Sequence, residues 1–424
     1  MEKISINDFF DIHQSLQNDG YKLIEHANGK LIYKKNDEEL EVLLNDYIDT
    51  HPKLLKPNYN NTFLNVVSSF NKYYGKETKY PSNPMIDEIL SKKQYKHVVM
   101  MVLDGFGSYP LRKNLDENSF VSSKKICDIS AVYPPTTACA IPALTSGLEP
   151  IVTGWIGWEQ YIKELDRHVV MFRNQDFFTE EKLDFDARKY LPYEEFYKKF
   201  NTNVFEIGPM FMPIGAETFK EACDNLVSSI NSVEDSFTYF YWNEPDSKMH
   251  EFGAESPEAK QEFEDINKNL LELTNKISND TLIIITADHG HIDVNPIYLY
   301  NFSNLTDLLK RTPSSEGRMM FFRVKRFCKT SFVKKFKFYF GNYFRLLSKS
   351  DFIKQGYLGT NLKKKNKKIE RLIGDYVAIA TKQYYFVNNK DYLSISDDDM
   401  PFKSHHAGLT ANEMIVPLIV VEKN

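Results

Sequence analysis

His97-Val-Val-Met-Met-Val-Leu-Asp-Gly-Phe-Gly107 is the stretch on which the fold turns. Its first part is an unbroken apolar run, led in by the turn residues Pro81, Asn83 and Pro84 and closed by an acid and two glycines. A run with no polar face reads as a strand buried on both sides, as parallel sheets require. Asp104 then stands at the strand's carboxyl end, where open α/β sheets place their ligands.

Outward from this strand the same pattern recurs. Buried strands are expected at Thr202–Gly208, Phe237–Trp242, Thr281–Thr286, Tyr376–Ala380 and Met414–Val421, with helical stretches at Ala216–Asn231 and Pro257–Ser278 between them. That alternation predicts an α/β sheet covered by helices on both faces. Residues 1–95 mix polar helical patterns (Ile6–Leu16, Glu38–Tyr47) with a short strand, Lys30–Lys34, and carry no recognisable chemistry. Residues 316–371 are crowded with Lys and Arg and interleaved with Phe and Tyr. They read as an inserted lobe with packed aromatics and solvated lysines; the competing reading is a basic cap that gathers anions.

Composition narrows the function classes. A chain of 424 residues has room for roughly two to three domains. Its net charge of −5 gives no bias toward nucleic acid or acidic lipid. Cys127, Cys139, Cys223 and Cys328 are too few and too scattered for a disulfide framework. No apolar run approaches a membrane span, and the first residues lack a basic-then-apolar leader. A reduced, cytoplasmic enzyme or binding protein is expected, with a small-molecule partner rather than nucleic acid or membrane. Its oligomeric state stays open.

Chemistry gathers in a few places. Tyr133-Pro-Pro-Thr-Thr-Ala-Cys-Ala-Ile-Pro-Ala-Leu-Thr-Ser-Gly147 reads as an extended lead-in followed by a small-residue helix ending at Gly147. It sets Thr136 or Thr137 at a helix N-terminus, where free N–H groups favour an anion. The plain alternative is an N-cap. Asp104, then Asp246 and His250, then Asp288 and His289, then His405 and His406 follow strands or a loop. So many acids and imidazoles at strand ends are costly as packing, and mixed Asp/His ligation suits Zn²⁺ or a similar divalent ion.

Taken in order, Leu103-Asp104-Gly105, Pro134-Pro-Thr-Thr137, Pro245-Asp-Ser-Lys-Met-His250, Asp288-His289-Gly290 and His406-Ala-Gly408 resemble the alkaline phosphatase superfamily, specifically its nucleotide pyrophosphatase/phosphodiesterase branch. The resemblance spans residues from about 97 to 421. It implies an αβα sandwich with a mostly parallel sheet and two divalent ions, usually zinc, with Mn²⁺ an alternative. Asp246, His250 and His406 would hold one ion; Asp104, Asp288 and His289 would hold the other, with Thr137 as nucleophile and ligand. Thr137 matches the family turn better than Thr136 by its distance to Thr145-Ser-Gly147, and His406 precedes the small residue as the family His does, whereas His405 does not. His291 falls outside this ligand set, and Cys139 lacks the surroundings of a sulfatase nucleophile.

The implied organisation is a 1–95 accessory segment packed on the core, core halves at 96–300 and 373–424, and a cap lobe at 301–372. Phosphodiesterase members commonly carry an Asn just after the nucleophile helix. Gly154-Trp-Ile-Gly-Trp158 has none, which leaves Trp155 and Trp158 as candidates to stack on a base or aryl leaving group. The expected activity is hydrolysis of phosphodiester or pyrophosphate bonds through a phospho-threonine. Alternatives are a phosphomonoesterase, phosphonate hydrolase or phosphomutase, with Lys248 or Arg173 gripping extra charge, and a non-catalytic nucleotide- or polyanion-binding protein.

Overall fold

The computed structural model describes residues 2–45, 52–388 and 401–423. Its centre is a seven-stranded sheet made of β1 (His97–Leu103), β2 (Lys125–Ser130), β3 (Asn203–Pro209), β4 (Ile214–Ala216), β5 (Ser236–Trp242), β6 (Thr281–Thr286) and β7 (Ile415–Glu422). The strand order is β4-β3-β5-β1-β6-β7-β2. Pairing is parallel from β4 through β6, while β7 runs antiparallel to both of its neighbours. Every residue of β1, β5 and β6 is buried, as expected of strands rich in apolar residues and covered on both faces.

Helices cover both faces. Along β5 the side chains alternate: Phe237 meets Phe70 of the Phe63–Tyr73 helix, whereas Phe240 meets Phe219 of the Phe219–Asn231 helix. Odd and even residues of a strand point to opposite faces, so these helices lie on opposite sides of the sheet. The αβα sandwich is therefore observed. The helix expected at the nucleophile turn runs Thr137–Ser146 and stops at Gly147, whose φ of 63° supplies the left-handed C-cap.

A second seven-stranded sheet faces the carboxyl end of the first. Its order is Phe344–Ser348, Tyr376–Ala380, Met319–Phe322, Ser314–Glu316, Glu159–Ile162, Arg167–Val170 and Gln175–Asp176, all antiparallel. Tyr376–Ala380 is thus a strand, but it belongs to this sheet rather than to the core. Its apolar residues are buried among the lobe's aromatics instead. On the Lys329–Phe340 helix, Phe332, Phe336, Tyr339 and Phe340 point inward while Lys334 and Lys337 are exposed.

The first 95 residues divide. Residues 2–45 form a four-stranded sheet with a helix and pack on the lobe, where Phe9 stacks on Phe338 at 5.7 Å. The helices Phe63–Tyr73 and Pro84–Ser91 join the core cluster. Within Glu38–Tyr47 the structure has a strand, Glu38–Leu44, not a helix; Tyr47 lies outside the described residues. Pairing overrides helix propensity here: Lys35, Lys34 and Ile32 stand opposite Glu38, Glu39 and Glu41, and Lys30 reaches Glu41 at 2.6 Å.

Candidate active site

Three neighbouring core strands each deliver a carboxylate to the same rim. Asp104 follows β1, Asp246 opens the Asp246–Phe252 helix after β5, and Asp288 follows β6. The chain can turn so closely there because of glycine. Gly105 has a φ of 70°, and a Cβ on it would come within 3.1 Å of Asp246 Cα. A Cβ on Gly107 would sit 2.3 Å from Gly290 Cα, so the two glycines let the Asp104 and Asp288 loops touch.

The side chains form two adjoining groups. Asp104, Asp288 and His289 make one; Asp246, His250, His291 and His406 make the other. Within each group the potential ligand atoms lie within 4.8 Å of one another. His289 Nε2 bridges them, 3.3 Å from Asp104, 3.4 Å from Asp288 and 3.9 Å from Asp246. Thr137 Oγ1 sits over the first group, 3.2 and 3.3 Å from the Asp104 oxygens and 3.2 Å from His289 Nε2. The His406 loop is tied to the turn before Thr137 by the Ala407 N–H, which donates to the Pro135 carbonyl at 2.9 Å.

Imidazole orientation is fixed from behind. His289 donates from Nδ1 to the Gly290 carbonyl at 3.1 Å, and His250 donates from Nδ1 to the Ser404 carbonyl at 2.9 Å. Each therefore points Nε2 into the site, the orientation that metal-ligating histidines adopt. His291 places Nδ1 2.9 Å from Ser404 Oγ and Nε2 2.6 Å from Asp246 Oδ1. It belongs to the site although the motif comparison passed over it. The signal was the second imidazole of Asp288-His-Gly-His291.

Electrostatics test whether a cation fits. Burial, reinforced by Asp246, raises Asp104, and burial with the Asp104 charge raises Asp288 well above the usual carboxylate range. Burial opposes the Asp246 charge too, yet His250 and His291 hold that carboxyl below its ordinary value. Burial would lower His289, but Asp288 and Asp104 pull it up to about 10. Asp288 Oδ2 and His406 Nδ1 are buried without a hydrogen-bond partner. Crowded carboxylates short of positive charge, an orphaned carboxylate oxygen and an Asp/His donor set fit divalent cations.

The two tryptophans part company. Trp155 is 1% exposed, donates from Nε1 to the Leu191 carbonyl at 2.9 Å, and sits in a packed cluster rather than on the cavity wall. Trp158 does line the site cavity, which has a volume of about 420 Å³, together with Thr137, Asp246 and Arg173. Lys248 lies over Phe252 instead. Sequence reasoning missed Glu316, which is buried at the cavity wall. It accepts from Thr136 Oγ1 at 2.8 Å and from the Trp158 N–H at 2.6 Å, and burial pushes it up to about 7. Thr136, the N-cap, thus spends its hydroxyl on Glu316 and not on the helix.

The sequence model of the family "type I phosphodiesterase / nucleotide pyrophosphatase" matches residues 98–407. The chain belongs to this family. Members are metal-dependent phosphoryl hydrolases of the alkaline phosphatase superfamily. Solved structures carry the same fold at low identity. Murine ectonucleotide pyrophosphatase/phosphodiesterase 5 aligns with a TM-score of 0.56 at 16% identity, over 76% of this chain and 87% of that one. An inactive form of the murine protein in complex with AMP gives 0.55 at 15% identity, over 77% and 87%. Phosphonoacetate hydrolase from Sinorhizobium meliloti 1021, in complex with phosphonoacetate, gives 0.57 at 15% identity, over 77% and 90%. No curated protein matches the sequence.

Proposed function

We propose that the chain hydrolyses phosphodiester or pyrophosphate bonds of small molecules, with Thr137 as the nucleophile at a site for two divalent ions, zinc being the first expectation. The observation that carries this is the position of Thr137 Oγ1, 3.2 Å from both Asp104 Oδ2 and His289 Nε2 at the mouth of the cavity. Asp104, Asp288, His289 and Thr137 would hold one ion, and Asp246, His250 and His406 the other, with His291 set against Asp246. When bound, the ions supply positive charge that favours the alkoxide and screens the phosphoryl oxygens.

The chain's own groups do the rest. Asp104 and Tyr241, whose hydroxyl donates to Asp104 Oδ2, fix the surroundings of the Thr137 hydroxyl. Glu316 holds Thr136 and so sets the pitch of the helix start that presents Thr137. Attack by Oγ1 forms the P–O bond to Thr137 as the leaving oxygen departs, and water then cleaves the phospho-threonine.

A phosphonate or monoester substrate is the second reading. Arg173 supports it, since it lines the cavity and lies 5.6 Å from the Trp158 ring, where an additional negative charge would find a cation. The test is turnover of bis-p-nitrophenyl phosphate, p-nitrophenyl phosphate and phosphonoacetate with added Zn²⁺ or Mn²⁺. Faster diester cleavage is expected. Preference for phosphonoacetate or the monoester moves the assignment to the second reading, and turnover that survives chelation rules out both.

A further inference from the structure

His405, next to a candidate ligand, is committed at one ring nitrogen and open at the other. Its Nδ1 accepts the backbone N–H of His406 at 2.9 Å. A nitrogen that accepts carries no proton, so the ring's hydrogen is on Nε2 and His405 is a donor there. Among the described residues Nε2 has no hydrogen-bond partner, although the residue is only 6% exposed. Unlike the enclosed His406 Nδ1, this nitrogen opens on the cavity, so its acceptor comes from water or from a bound ligand.

The surroundings say where that acceptor comes from. His405 and Gly317 both line the site cavity. A methyl on Gly317 would lie 3.4 Å from Nε2, so the bare glycine leaves the approach open. The His250 and His406 rings are 5.2 and 5.0 Å away, which sets the donor beside the imidazoles grouped on Asp246. Tyr385 and Phe402 flank it, each 5.3 Å away, and such apolar walls strengthen a hydrogen bond by excluding water.

We propose that His405 is a substrate-contacting residue whose Nε2–H donates to a non-bridging phosphoryl or phosphonyl oxygen, beside the group held by Asp246. The assignment rests on the hydrolase reading above for the identity of the ligand. It gives the site a fixed neutral donor, in addition to whatever positive charge the metal ligands hold. As an Nε2 donor, the residue contributes binding of the charged oxygen and a geometric check on how the phosphoryl group sits.

Two variants separate this role from a purely structural one. His405→Asn keeps an acceptor oxygen where Nδ1 was, for the His406 N–H, and removes the donor at Nε2. His405→Gln carries an amide N–H₂ to the Nε2 position and removes the acceptor. Both are compared with wild type as full-length, zinc-loaded protein, by calorimetric binding of inorganic phosphate, kcat/KM on bis-p-nitrophenyl phosphate, and bound metal per chain. His405→Asn is expected to weaken phosphate binding and kcat/KM by about 10- to 100-fold, the size of a hydrogen bond to a charged group, with metal content unchanged. His405→Gln is expected to stay close to wild type in both.

The reverse order, or metal loss from His405→Asn, overturns the proposal and leaves His405 as an anchor for the His406 loop. Wild-type values in both variants overturn it as well. If wild type binds phosphate yet cleaves no diester, the hydrolase reading fails alone, and the calorimetric comparison still decides the role of His405.

Discussion

Beyond the carboxyl ends of β5, β1 and β6 stand Asp246, Asp104 and Asp288, and two of these acids carry a histidine of the site close behind them, His250 and His289. Across the cavity, the antiparallel sheet contributes Trp158, Glu316 and Arg173 from segments more than a hundred residues apart. The acids of the first wall are each marked locally, by the apolar strand that precedes them, although pairing of distant strands brings them together. The second is assembled by long-range pairing, such as Ser315 opposite Glu159. Under the proposed function the core side would carry the chemistry, and the lobe side would contact the substrate. Changes in the two walls should break the protein differently.

Chelation tests the core wall most severely. Removing metal should abolish turnover and expose the uncompensated carboxylates. A thermal scan with and without EDTA should show a loss of about 3–4 kcal/mol of stability for each ion present at 100–1,000 times its Kd. An unchanged midpoint would mean the two groups hold no ion.

The tryptophans sharpen the comparison next. Trp155→Ala opens a cavity in a packed cluster and should cost about 3–5 kcal/mol in denaturant unfolding. Trp158→Ala removes a cavity wall and should raise KM with little loss of stability. Similar stability losses in both would erase the distinction between core and rim.

Glu316 gives the lobe wall a pH signature. Its folded value of about 7 stands above the ordinary glutamate value of 4.5, so the folded state binds the extra proton between them. Stability from this group is full below about 4.5 and lost as pH rises through 7. Glu316→Gln keeps acceptors for Thr136 and Trp158 and should flatten that fall by about 1–3 kcal/mol, read from urea midpoints at pH 5 and pH 8. Parallel curves for the two proteins would contradict the burial argument.

The smallest effect lies on the His406 loop. Ala407 has a φ of 81°, a left-handed conformation that costs a residue with a Cβ. Ala407→Gly should relieve that strain and stabilise the protein by up to about 1 kcal/mol, seen as a higher thermal midpoint. A lower midpoint would mean the loop tolerates Ala407 without strain.

Much of the core was legible because burial leaves a mark on local sequence. Apolar-rich runs located five of the core strands, and residues beyond three of them located the acids. The same marks gave Tyr376–Ala380 as a strand but not its sheet, since an apolar run is equally at home in either. Glu38–Leu44 was misread because its charges suit a helix when alone and a ladder when lysines stand opposite. His291 stood in view inside Asp288-His-Gly-His291, but only folding brings it 2.6 Å from Asp246. Glu316 had no local mark at all. A lone acid in a basic, aromatic stretch acquires meaning only when its strand pairs with a segment far earlier in the chain.

The most direct test of the account is the turnover of Thr137→Ala on bis-p-nitrophenyl phosphate, measured beside wild type with bound metal quantified in both. The account predicts a fall of at least about 10³-fold, or roughly 4 kcal/mol in the barrier, with metal still bound. Turnover near wild type in a metal-loaded Thr137→Ala protein would contradict it, and the nucleophile would have to be sought elsewhere than at the Thr137–Ser146 helix.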